Sequence, residues 1–197
     1  LHGPFTEIIP AAIDYKAREF AMERLEQCYQ VAAAVGAEAM IVHTGYIPFM
    51  YFKEWQAEKS AVFWQKFMKD KPSDFRLYVE NVLEEDYVLM DELMKRIENT
   101  NFCTCIDIGH INTYSKVDID EWIDVLLPKL SHIHLHNNYG DKDSHGGINK
   151  GNINIIEILQ KLKKIKNDLT ISLEIVDIND LKEDKINIGV FNIEGIE

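Results

Sequence analysis

The chain has 197 residues, 46% of them hydrophobic and 27% charged, the make-up of one ordinary globular domain rather than a disordered or fibrous chain. A formal net charge of -12, with no basic stripe, disfavours nucleic acid, because non-specific affinity for it rests on neutralising phosphates with Lys and Arg. No run approaches the roughly 20 apolar residues of a membrane span, and the three cysteines Cys28, Cys103 and Cys105, none in a CxxC pair, indicate a reducing, cytoplasmic setting rather than a disulfide framework.

Strand and helix patterns alternate along the chain. A strand-like start carries His2. From about Ala12 to Val35, Ala17, Phe20, Ala21, Leu25, Cys28, Val31, Ala32 and Val35 recur at helical spacing, and Gly36 follows as a natural stop. Cys28 lies on this stripe, where packing is the simpler reading. A strand then ends at His43. Helical residues surround Trp55 to Met68, followed by a polar, Pro-containing exit and a strand ending at Glu80. Leu89, Met90, Leu93, Met94 and Ile97 form the next stripe. After it come a strand through Thr104 to Asp107, a helix near Asp118 to Leu127 opened by acidic residues that suit its N-terminus, a strand His132 to His136, a helix Ile155 to Ile165 and a strand Leu169 to Ile175. Such alternation predicts parallel strands separated by helices.

Nine potential metal ligands sit at or just beyond the ends of six of these strands: His2, His43, Glu80, Asp107, His110, His134, Asp143, His145 and Glu174. Five of the chain's seven histidines belong to this set. Imidazole nitrogen with carboxylate oxygen suits zinc, manganese, iron or cobalt better than calcium or magnesium. Nine donors are too many for one ion, and a shared carboxylate such as Glu80 or Glu174 would bridge two. An isolated histidine is more often an ordinary hydrogen-bonded residue; the shared position at strand ends is what argues for ligation. Asp107 and His110, three residues apart, either share an ion or divide into ligand and substrate contact. In His132-Ile133-His134-Leu135-His136 the alternation puts all three histidines on one face, so periodicity does not choose between them. Gly146, Gly147 and Gly151, in the polar loop that carries Asp143 and His145, read as turn residues rather than a phosphate cradle.

An open doubly wound sheet gathers ligands at one crevice, whereas a closed barrel brings every strand's C-terminal end around one axis. Six strands converging on one site therefore predict a (β/α) barrel, one α/β domain over residues 1–197.

The segments His2-Gly3-Pro4-Phe5, Val42-His43-Thr44-Gly45, Val79-Glu80-Asn81, Asp107-Ile108-Gly109-His110, Ile133-His134-Leu135-His136-Asn137-Asn138, Asp143-Ser144-His145 and Leu173-Glu174, in this order over nearly the whole chain, resemble the xylose isomerase-like TIM barrels. That family includes sugar phosphate isomerases and epimerases and the type IV AP endonucleases. In it the segment like His2-Gly3-Pro4 lies on the third strand, so the resemblance implies a barrel without its first two βα units, with six strands present, and an N-terminally incomplete domain. It selects His134 as the strand ligand and leaves His132 and His136 as interior or supporting groups.

On the isomerase side the resemblance implies a divalent ion held by Glu80, Asp107, His134 and Glu174, which polarises a substrate carbonyl while the two glutamates move a proton through an enediolate. On the endonuclease side the remaining ligands complete a multinuclear zinc site for phosphoester hydrolysis. The acidic charge, Phe5 in place of the endonucleases' Tyr, and Asn137-Asn138 in place of their Asn-Asp-Ser favour a small-molecule substrate. The expectation is thus a sugar or sugar phosphate isomerase or epimerase. Its cofactor would be zinc or manganese, one to three ions, with Glu80, Glu174 and His110 as catalytic candidates. A zinc phosphoesterase and a non-catalytic metal-binding remnant are the alternatives. An open sheet edge would also admit a homo-oligomer.

Overall fold

The structure, a computed structural model, describes residues 1–165 and 168–189, with side chains to Asp184. In chain order the elements are α1 (Tyr15–Ala34), β1 (Ala39–His43), α2 (Lys53–Met68), β2 (Arg76–Glu80), α3 (Val88–Arg96), β3 (Phe102–Asp107), α4 (Ile108–Tyr114), α5 (Ile119–Leu126), β4 (Leu130–Leu135), α6 (Ile155–Ile165), β5 (Thr170–Leu173) and α7 (Ile178–Gly189). No helix among the described residues is long and apolar enough to cross a membrane. The strands pair in parallel in sequence order, β1-β2-β3-β4-β5. This is the α/β architecture that the alternating pattern predicts.

Two expectations are corrected. Among the described residues there are five strands, not six: the expected first is a single parallel bridge between His2 and Ile41. Gly3 N–H donates to Ile41 O (2.7 Å) and Ile41 N–H to Leu1 O (2.9 Å), and the bridge is not extended into a ladder. The five strands form an open parallel half-barrel instead of a closed ring. Convergence of the strand ends needs only the curvature of this arc.

Each strand divides its residues between two environments. Met40, Val42, Leu77, Val79 and Phe102 face outward and bury against Leu25, Trp64, Phe67 and Leu93 of the covering helices. Farther along the arc Ile106, Ile133, Leu135 and Ile171 do the same against Trp122, Ile123, Leu159 and Leu162. On the concave face lie Ile41, Tyr78, Cys103 and Cys105, and toward the C-terminal mouth the acids and imidazoles. The β3–β4 register slips between Thr104, opposite Leu130, and Cys105, opposite His132. One extra residue in β4 reverses its parity. Leu130 therefore joins the outer core while His132 and His134 turn inward.

Local chemistry sets the ends of the elements. Asp14 caps α1 by accepting from Lys16 N–H (2.8 Å), which starts the helix three residues later than its apolar stripe does. Gly36, at φ 71°, ends it in a conformation that favours glycine. Between β4 and α6, Asn137 organises the loop. Its Nδ2 donates to Ile148 O (2.6 Å) and Ile153 O (3.0 Å), and its Oδ1 accepts from Asn138 N–H (2.9 Å) and Ile153 N–H (3.1 Å). Gly151 serves close approach here rather than a left-handed turn, since a Cβ would collide with Asn137 Oδ1 and Asn138 O. On the far side Asp184 of α7 accepts from Ile148 N–H (2.7 Å).

Because Asn137 is buried, Asn137→Ala would strand its carbonyl and amide partners at about 1–3 kcal/mol for each group left without a bond. Thermal unfolding followed by circular dichroism should show Tm lower by at least about 2–4 °C. A variant that melts with the parent would show that this amide does not hold the loop.

Candidate metal centre

Asp107 illustrates how strand and helix together aim a ligand. It ends β3 and caps α4, its Oδ1 accepting from His110 N–H (2.7 Å). Asn81 extends the β2–β3 ladder with its side chain, donating to Asp107 O (3.0 Å) and accepting from Asp107 N–H (2.9 Å). With backbone and one carboxylate oxygen fixed, Oδ2 is left buried with no hydrogen-bond partner. It points at a group in which Glu80, Asp107, His134 and Glu174 each bring a donor atom within 4.8 Å of the others. His134 Nδ1 lies 2.9 Å from Glu80 Oε1, 3.1 Å from Glu174 Oε1 and 3.9 Å from Asp107 Oδ2.

Glu80 also belongs to a second group. Its Oε2 lies 3.2 Å from His2 Nε2 and 3.6 Å from His43 Nε2, so one carboxylate joins His2 and His43 to the central four. A third group contains His110, His136, Asp143 and His145. Asp143 Oδ2 is 3.2 Å from His110 Nε2 and 3.3 Å from His145 Nε2.

Three imidazoles are oriented in the same manner. His2 Nδ1–H donates to Gly3 O (2.8 Å), His110 Nδ1–H to Asn81 O (2.9 Å) and His145 Nδ1–H to Glu174 O (2.8 Å). A carbonyl oxygen can only accept, so each bond puts a proton on Nδ1 and turns Nε2 toward the carboxylates. That is the arrangement in which metal-binding histidines are held.

The donor sets fit a divalent ion. Four ligands at about 2.1 Å in tetrahedral array lie about 3.4 Å from one another, and the contacts above bracket that spacing. Buried oxygens without partners, Asp107 Oδ2 and Asp143 Oδ1, are what such a site leaves when its cation is taken out of account. Mixed nitrogen and oxygen donors suit zinc or manganese.

Electrostatics point the same way. Burial alone would lower His110, but Asp143, Asp107 and Glu80 outweigh it and raise its pKa to about 10. The hydrogen bond to Asp143 is the main reason that His145 rises to about 9. Burial would raise Glu80, yet hydrogen bonds from His134 and His2 hold it below the usual carboxylate range. In Glu174 burial prevails, reinforced by Glu80 and Asp107, and its pKa is raised. Burial lowers His43 to about 4. The mouth thus holds anionic carboxylates that draw cationic partners, protons or a metal.

All nine residues singled out from the sequence, His2, His43, Glu80, Asp107, His110, His134, Asp143, His145 and Glu174, lie within these three groups. His136 joins them as well, although the sequence reading left it as interior or supporting. Period-two alternation shows which face a residue takes but not how deep it lies. His132 stays in the interior: its ring nitrogens engage Thr170 Oγ1 (2.6 Å) and Ser172 Oγ (3.0 Å). Cys105 and His134 come close to it. Burial pushes the Cys105 thiol well above its ordinary value, which makes it a poor ligand.

Residues 1–189 match the family described as xylose isomerase-like TIM barrel. The uncharacterized protein MJ1311 of Methanocaldococcus jannaschii is 30% identical over 199 residues, spanning 94% of this chain and 67% of that protein. Among solved structures, a D-tagatose 3-epimerase-like protein superposes with TM-score 0.84 at 27% identity, covering 97% of this chain and 75% of the other. The TTHB071 protein from Thermus thermophilus, soaked with ZnCl2, shares the fold with TM-score 0.75 at 21% identity, over 98% of this chain and 77% of that one. The chain belongs to the xylose isomerase-like TIM barrel family.

Proposed function

We propose that this protein is a divalent-metal-dependent isomerase or epimerase acting on a small sugar or sugar phosphate. The observation that carries the reading is the central group Glu80, Asp107, His134 and Glu174, with two glutamates of opposite character on one donor cluster. When bound there, zinc or manganese would polarise the carbonyl and neighbouring hydroxyl of an open-chain ketose or aldose and acidify the carbon beside them.

The chain's own groups account for the proton transfer. Glu174 is 27% exposed and reaches the mouth, and its raised pKa suits a group that takes a proton from carbon and returns one. Glu80, 1% exposed and hydrogen-bonded by His2 and His134, stays ionised and serves as the partner acid/base only through those imidazoles. His110 stands beside both Glu80 and Asp143 and would hold a substrate oxygen. The likeness to a D-tagatose 3-epimerase-like protein supports this substrate class. The formal charge of -12 weighs against DNA.

The adjoining His2–His43–Glu80 group favours a second reading. A mononuclear isomerase has no need of a second ligand set sharing Glu80. A multinuclear zinc phosphoesterase does, because two-metal sites use a bridging carboxylate to stabilise attacking and leaving oxygens.

Incubation of the metal-loaded protein with ketoses in D2O, followed by NMR, should show deuterium entering at the carbon next to the carbonyl. In Glu174→Gln this exchange should fall by about 10²–10⁴-fold with unchanged circular dichroism. Exchange at the parental rate would remove Glu174 from the mechanism. No exchange with any ketose, together with metal-dependent cleavage of an abasic-site oligonucleotide, would transfer the assignment to the phosphoesterase reading.

Chelation gives a test independent of substrate. An ion present at about 1,000 times its dissociation constant stabilises the folded state by about 4 kcal/mol, so stripping it should lower Tm by about 8–16 °C and adding zinc or manganese should restore it. A melting curve indifferent to chelator and to added metal would show that these donors hold no ion.

A further inference from the structure

We propose that the cleft beside His43 holds the far end of the substrate and that this end is uncharged and apolar, so that the preferred substrate is a ketose deoxygenated at its terminal carbon rather than a sugar phosphate. The inference rests on the isomerase reading above and narrows its substrate class.

The cleft has a volume of about 350 Å³ and is walled by Phe5, Ile8, Tyr46, Ile47, Val82 and Leu83. These residues follow the His2 bridge, β1 and β2, so the cleft opens at the mouth. His43 also lines it. Glu80 links the two places, since its Oε1 faces His134 of the central group and its Oε2 faces His43. The cleft therefore lies one carboxylate away from the group where the carbonyl end of a ketose would sit.

The polar side chains of the wall are turned to partners behind it. Thr44, 2% exposed, gives its hydroxyl to the buried Glu84, and the same oxygen accepts from Tyr46 N–H (3.1 Å). The Tyr46 hydroxyl donates to Glu85 Oε2 (2.7 Å). Lys53 lies 5.8 Å from the centre of the Tyr46 ring, but its ammonium is paired with Glu85 (3.3 Å) and Asp86 (2.8 Å). What the wall offers a ligand is mostly carbon. Among the described residues that line the cleft there is no Lys or Arg, and Glu7 adds a carboxylate. A phosphate placed there would lose its water without gaining a cationic partner. A methyl group placed there buries apolar surface and leaves no polar group unsatisfied.

The wall is built into the fold. Gly45 sits at φ 69°, and a Cβ there would collide with Pro10 Cδ, Ile8 O and Ile9 Cα. With no side chain at Gly45, residues 8–10 close onto the loop between β1 and α2 and bring Ile8, 4% exposed, into the wall. Phe5 stacks on His43 with centroids 4.9 Å apart and planes 28° apart, so one aromatic ring both covers that imidazole and lines the cleft. Phe5 and Ile47 are thus assigned as specificity-determining residues.

Calorimetric titration of the zinc-loaded full chain tests this without relying on turnover. The probes are D-fructose, its analogue deoxygenated at the carbon farthest from the carbonyl, and its phosphate ester at that same carbon. The deoxy analogue should bind about 10–100-fold more tightly than fructose. The phosphate ester should not displace it, and saturation-transfer NMR should put the strongest signal on the methyl protons. In Phe5→Ser the ratio of the two affinities should fall toward unity. Ile47→Lys, which places an ammonium in the wall, should lower the ratio and admit the phosphate ester. Should that variant fail to fold, Ile47→Ser carries the test, with a lowered ratio alone expected.

Equal affinity for the deoxy analogue and fructose, tightest binding by the phosphate ester, or failure of all three to bind would each overturn the proposal. So would a ratio that neither Phe5→Ser nor the Ile47 variant moves. Preference for the deoxy analogue without deuterium exchange would uphold the cleft and overturn the isomerase reading. Exchange that is fastest with the phosphate ester would uphold the isomerase reading and overturn the cleft.

Discussion

Glu80 is a carboxylate with 1% exposure at the end of a central strand, and the arrangement of the mouth follows from the need to compensate it. Leaving a buried charge unpaired costs several kcal/mol, and pairing repays that only when the geometry is good and the remaining lone pairs are used. Here both oxygens are used: Oε1 faces His134, Oε2 faces His2 and His43. The parallel register places His43 directly beside Glu80, and the neighbouring strand pair places Asp107 beside His134. Sheet pairing thus does for this site what a loop-built site would need many separate contacts to achieve.

Rigidity of the scaffold comes from the outer face. Trp64, Phe67, Leu77, Phe102 and Trp122 are essentially fully buried between sheet and helices, so the strands have little freedom to shift. A slip of one residue would send every ligand of a strand into that apolar layer and a Val or Leu into the mouth. The β3–β4 irregularity shows the same rule at work. Without the extra residue, Leu130 and His132 would share a face, and either the core or the site would lose a member.

Much of this was legible in the sequence because strand and ligand are written together: an apolar run closing on His43, Glu80 or Asp107 states both the element and its chemistry. Helix α6, with its regular stripe from Ile155 to Ile165, was equally plain. Less legible was α4, seven residues with a glycine near its start, which exists because Asp107 caps it and β4 packs on it. Helix α7 carries a polar stretch whose anchoring at Asp184 is a tertiary contact that no local pattern reveals. The expected first strand makes only a single bridge, which no local pattern around His2 distinguishes from a ladder. His136 escaped because its place in the third group depends on the loop bearing Asp143 and His145 and on the absence of a side chain at Gly109.

Two glutamates at equivalent strand ends acquire opposite character from their surroundings alone. Glu80 accepts from two imidazoles, which lower its pKa despite full burial. Glu174 has one close imidazole contact, at His134, and lies near the charges of Glu80 and Asp107, so burial and repulsion raise it. Environment alone can thus give two carboxylates of one site different affinities for a proton. The backbone carbonyl of Glu174 itself holds His145 in orientation. Movement of Glu174's strand end would therefore disturb the third group as well, so the central and third groups are mechanically joined through one peptide unit.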